Sequence, residues 1–71
     1  MKICAFTEIE LEFFRCYCNF VGYERDVFEL RSKDVPLEAI AEKLDMTIDG
    51  INKISRKVNS KIARVSALVQ I

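Results

Sequence analysis

Histidine is absent from this chain, glycine occurs twice, proline once, and eleven cations cancel eleven acids. Without histidine the commonest general base and metal ligand is missing. Two glycines cannot build a phosphate-cradling loop, and no paired carboxylates stand at a spacing that would place them in a cleft. Seventy-one residues make one domain, near the lower limit for folding without staples and too short to enclose a substrate pocket. The glutamates at 8, 10 and 12 complement a helix start. No enzyme is expected. The three cysteines, Cys4, Cys16 and Cys18, are odd in number and have no second cluster to complete a metal site. Cys16 and Cys18 stand two apart and would not share a helix face. Free thiols are expected, with no metal and no cofactor, in keeping with a reducing cytoplasm. No run approaches the roughly 20 apolar residues of a membrane span. The opening "MKICAFTEIELEFF" places acids where a secretory signal would be apolar. A cytoplasmic protein with no membrane partner is expected.

What is present is an uneven distribution of charge. Residues 1–46 carry six cations against ten acids, and residues 47–71 carry Lys53, Arg56, Lys57, Lys61 and Arg64 against Asp49 alone. A neutral chain can therefore own a local basic surface. The plainer account is a solvated helix face.

The apolar pattern predicts helices throughout, and no strand alternation or internal repeat occurs. Thr7 with Glu10 forms a capping box, with Phe6 placed to staple onto Leu11. A first helix is predicted over 7–20, with Ile9, Phe13, Cys16 or Tyr17, and Phe20 on its apolar face. Gly22 interrupts it. A second helix is predicted over 23–33, containing Val27, Phe28 and Leu30, and ends at the break Asp34-Val35-Pro36. Pro36 suits the first position of a third helix, 36–44, which aligns Leu37, Ile40, Ala41 and Leu44. Thr47 is a good N-cap for a fourth helix over 47–60. Residues 61–71 form a helical extension, either continuous with it or set off by a bend near Asn59-Ser60. The fold class is all-α: a tri-helical core with an additional N-terminal helix and a long C-terminal one.

The stretch "LEAIAEKLDMTIDGINKI" (37–54) has the features of a helix-turn-helix. Ala41 is small where two crossing helices would approach, and Asp45 tolerates the left-handed conformation of a tight turn. Ile40, Leu44, Met46, Ile51 and Ile54 would fill the wedge. At about 100° per residue, Asp49, Asn52, Lys53, Arg56, Lys57 and Ser60 lie across the half opposite Ile51, Ile54, Val58 and Ile62. Such a helix suits a major groove: Asn52 can pair with adenine, Lys53 or Arg56 with guanine, and Asp49 can accept from cytosine. Lys43, Lys57 and Lys61 are placed as phosphate clamps, and Thr47, which caps the helix, is counted with them among the expected DNA-binding residues.

"GYERDVFELRSKDVPLEAIAEKLDMTIDGINKISRKVNSKI" resembles the helix-turn-helix of LuxR-type regulators and of sigma-factor region four. The matching residues are Glu24-Arg25-Asp26-Val27-Phe28-Glu29-Leu30, then Ala39-Ile40-Ala41-Glu42-Lys43-Leu44, then Thr47 and Ile51. The likeness covers residues 22 to about 65 of the 71. Ala39 stands where such families often have Glu, and Gly50 where Thr or Glu is common. In layout the chain is similar to small stand-alone bacterial or phage regulators. The resemblance implies sequence-specific binding of double-stranded DNA and transcriptional regulation. The alternative is a protein-interaction module, such as an adaptor for RNA polymerase or a sigma factor. A homodimer is also expected. It would use the C-terminal residues Ile62, Val65, Leu68, Val69 and Ile71 with Phe13, Phe14, Tyr17 or Phe20, since one recognition helix gives modest affinity.

Overall fold

The computed structural model describes residues 3–69, and the side chains of 3–68. After a single 3₁₀ turn at Ile3–Ala5 come α1 (Glu8–Tyr17), α2 (Tyr23–Ser32), α3 (Leu37–Lys43) and α4 (Ile48–Val69). The described residues contain no strand, so the fold class is all-α.

Each helix starts and stops for a local reason. At the start of α1 the Glu10 amide donates to Thr7 Oγ1 at 3.2 Å, and the Thr7 amide donates to Glu10 Oε1 at 2.9 Å. That is the capping box expected from the sequence. The helix ends at Tyr17, earlier than the apolar pattern implied, because Asn19 turns left-handed (φ 52°). The turn folds Phe20 back onto Phe28, with ring centroids 4.7 Å apart. Gly22 follows with φ 55°, where any side chain would be strained.

α2 and α3 end in the same way. After α2, the Val35 amide donates to Leu30 O at 3.1 Å and the Asp34 amide to Arg31 O at 3.0 Å, with Asp34 at φ 63°. After α3, the Met46 amide donates to Ala41 O at 2.9 Å and the Asp45 amide to Glu42 O at 3.3 Å, with Asp45 at φ 54°. Both are Schellman motifs with aspartate where glycine is usual. Pro36 is the extended N-cap of α3 (φ −65°, ψ 154°), one place before the first helical position.

α4 is unbroken through Asn59-Ser60 and on to Val69. Its 22 residues rise about 33 Å, matching the molecule's longest extent of 34 Å. It is the spine on which α1, α2 and α3 pack. Val27 and Phe28 of α2, Ile40 and Ala41 of α3, and Ile51, Val58 and Ile62 of α4 form the centre of the core. Ile3, α1's Leu11 and Phe14, and Cys18 just past the end of α1 close one side.

The buried face of α1 is not the one that sequence spacing selected. Ile9 is 84% exposed, Tyr17 is 65% exposed, Cys16 is exposed and Phe13 is half-buried. α1 carries two apolar stripes, both at helical spacing. Phe6 from the preceding turn packs on Phe14 with ring centroids 5.1 Å apart, and Arg15 ties α1 to α2, so the Leu11–Phe14–Cys18 stripe faces inward.

Candidate nucleic-acid interface

α4 begins directly after the Asp45 turn, and its orientation on the core is fixed by apolar anchors at three- and four-residue spacing. Ile51, Val58 and Ile62 are buried, and Ile54 and Val65 are half-buried. The Gly50 amide donates to Thr47 Oγ1 at 3.1 Å, so Thr47 is exposed but its hydroxyl oxygen already serves as the cap. A Cβ at Gly50 would stand 3.3 Å from Met46 Cε and 3.3 Å from Thr47 Oγ1.

The opposite face looks outward. Asp49, Lys53, Arg56, Lys57, Ser60 and Arg64 are all exposed, and Asn52 is half-buried on one flank. Among the described residues, neither Lys53 nor Arg56 is covered by the N-terminal segment, and neither makes an ion pair. Lys43 is exposed in the last turn of α3. Lys57 lies near enough to Glu24 for its charge to help lower that carboxyl's pKa.

Lys61 is placed differently from the other cations. Its Nζ donates to the Glu24 carboxylate and, at 3.0 Å, to Asn19 O. It is committed to holding the α1–α2 loop against α4, not standing free with Lys53 and Lys57. Glu24, itself buried, also accepts from the Val21 amide at 3.3 Å. The Lys61 ammonium holds the Glu24 carboxyl below its ordinary range, against the opposing effect of burial.

Two further polar links escaped sequence reading. Arg15 grips Glu29 with two parallel bonds, Nε to Oε2 at 2.7 Å and Nη2 to Oε1 at 2.9 Å. The pairing lowers the Glu29 pKa and raises that of Arg15. Arg31 Nη1 reaches α4, donating to Ser55 Oγ at 2.6 Å and to Asn59 Oδ1 at 3.2 Å. The only local trace of that link is Ser55 and Asn59 at i, i+4 beside the apolar stripe.

The cysteines do not converge. Cys18 is buried, which pushes its thiol pKa up, and Cys4 Sγ donates to Asp34 Oδ1 at 3.5 Å. Among the described residues no group of three His, Cys, Asp or Glu side chains could hold a metal ion. No described helix is long and apolar enough to cross a membrane.

The surface expected for a dimer is reduced. Phe14 and Ile62 are 1% exposed and belong to the core. Tyr17 and Leu68 are exposed and line a groove between α1 and α4 together with Lys61, Arg64 and the half-buried Val65. The Val69 side chain and Ile71 lie outside the described residues. No protein-family model, curated protein or solved structure matches the chain.

Proposed function

We propose that α3, the turn at 44–47 and α4 form a helix-turn-helix that binds double-stranded DNA. The first half of α4 lies in the major groove, and the protein acts as a transcriptional regulator. One observation carries this reading: the outward face of α4 presents Lys53, Arg56 and Lys57 exposed, with Asp49 as its lone acid, while its inward face is locked into the core. The left-handed Asp45 and buried Ala41 supply what a tight turn between crossing helices requires. Asn52, Lys53 and Arg56 are the base-reading candidates, with Asp49 as an acceptor for cytosine. Lys43 and Lys57 are the phosphate contacts.

A cytoplasmic setting belongs to the same proposal, as does a homodimer, for which Tyr17 and Leu68 are the exposed apolar contacts. Sedimentation at low micromolar concentration tests the dimer, and a single species of 8.2 kDa would refute it.

A second reading, an adaptor for RNA polymerase or another protein, is favoured by the groove beside Tyr17 and Leu68. Charge reversal separates the two. Lys53→Glu with Arg56→Glu should abolish the retardation of duplex DNA without unfolding the chain, because both side chains are exposed. Retardation that survives the double reversal, or never occurs in the unmodified protein, would rule out DNA binding through α4.

A further inference from the structure

Because α4 runs unbroken through Asn59-Ser60, its cationic face extends beyond the segment assigned to base reading. From Lys53 to Arg64 is eleven positions, which on a straight helix is a rise of roughly 16 Å and a net rotation of only about 20°. Lys53, Lys57, Ser60 and Arg64 therefore stand in one line, all exposed. Arg64 has no ion pair among the described residues. Lys61, close by in sequence, lies about 80° around the helix from Lys53 and is bound to Glu24 and Asn19.

The major groove is about 12 Å wide, so a straight helix that crosses it cannot keep both ends of a stripe of roughly 16 Å inside it. With Lys53 and Arg56 against base edges, Arg64, about 10 Å beyond Lys57 along the line, has left the groove and meets a sugar–phosphate strand. We propose that Arg64 is a phosphate contact on the far rim of the groove, fixing the register of α4, and that Lys61 contributes none. The assignment rests on the DNA-binding reading above. It adds a residue which the resemblance does not single out, and it takes Lys61 out of the clamp set.

Phosphate contacts carry no base identity, so Arg64→Ala should weaken binding to every duplex by the same factor. Losing one contact should flatten the dependence of log affinity on log salt by about 0.9, a roughly 3.5-fold smaller loss of affinity between about 50 and about 200 mM. Arg64→Lys should keep the slope of the unmodified protein. Lys61→Met, compared under conditions where circular dichroism shows it folded, should also leave the slope unchanged. Arg56→Ala should instead reorder the affinities of different duplexes. If Arg64→Ala keeps the original slope while Lys57→Ala flattens it, the C-terminal half of α4 lies off the DNA and the Arg64 assignment is wrong, though DNA binding stands. If Lys61→Met flattens the slope, the Glu24 pair opens on binding and the division between the two residues is wrong. If the unmodified chain retains no duplex even at low salt, the DNA reading fails and takes Arg64 with it.

Discussion

Lys61→Met is the perturbation that most sharply tests how α4 is held. The substitution keeps much of the aliphatic stem and removes the ammonium, leaving the Glu24 carboxylate buried with one remaining donor, the Val21 amide. Stripping one partner from a fully buried ion pair costs about 3–5 kcal/mol, whereas exposed pairs are worth about 1 kcal/mol or less. The Glu24 side chain is 11% exposed and that of Lys61 29%, so a value between those limits applies, about 2 kcal/mol. For a domain of this length that is a fall of roughly 8–16 °C in Tm. The penalty should depend on pH in a defined direction. The folded-state pKa of Glu24 is depressed below its ordinary 4.5, chiefly by the Lys61 bond. The stabilisation is therefore complete above that ordinary value and is lost as pH falls through the lower, folded one. Urea titrations followed by circular dichroism at neutral and acidic pH should show a gap between Lys61→Met and the unmodified protein that closes on acidification. A gap of the same size at both pH values, or one below about 0.5 kcal/mol at neutral pH, would refute the pairing as a structural lock.

Three further substitutions probe the turn and the cap. Asp45→Gly relieves an L-residue held at φ 54° and should raise stability by about 0.5–1 kcal/mol. A fall in Tm would show that the aspartate side chain stabilises the turn. Thr47→Ala removes the acceptor of the Gly50 amide and should cost about 1 kcal/mol, read as a lowered urea midpoint. Gly50→Ala should gain up to about 1 kcal/mol in helix propensity, because the tightest neighbour that must move is the flexible end of Met46. The N3 residue of α1, Glu10, already carries a Cβ in the same position relative to its capping threonine. A loss of stability would mean that Met46 cannot yield.

Local chemistry was legible in the sequence, and long-range chemistry was not. The Thr7–Glu10 box follows from a spacing of three, and it is formed. Asp45 was marked as the left-handed residue of its turn by its type and its place between two apolar runs. Ile51, Val58 and Ile62 declared the buried face of α4 by periodicity alone. Periodicity failed at α1, where two apolar stripes compete. Only contacts from Phe6 and from Arg15 to Glu29 decide between them. The Lys61–Glu24 pair escaped for the same reason. Its members are 37 positions apart and look like ordinary surface charges until α2 is laid against α4. Ser55 breaks the apolar pattern of α4 because Arg31, 24 positions earlier, reaches across to it.

The central claim, that the outward face of α4 meets duplex DNA, is tested most directly by mapping backbone amide shifts while titrating a DNA duplex into the full chain. The account predicts perturbations at Asp49, Asn52, Lys53, Arg56, Lys57 and Arg64, with Lys43 at the edge, and little change along α1. Shifts confined to Tyr17, Val65 and Leu68, or no shifts at low salt, would contradict it.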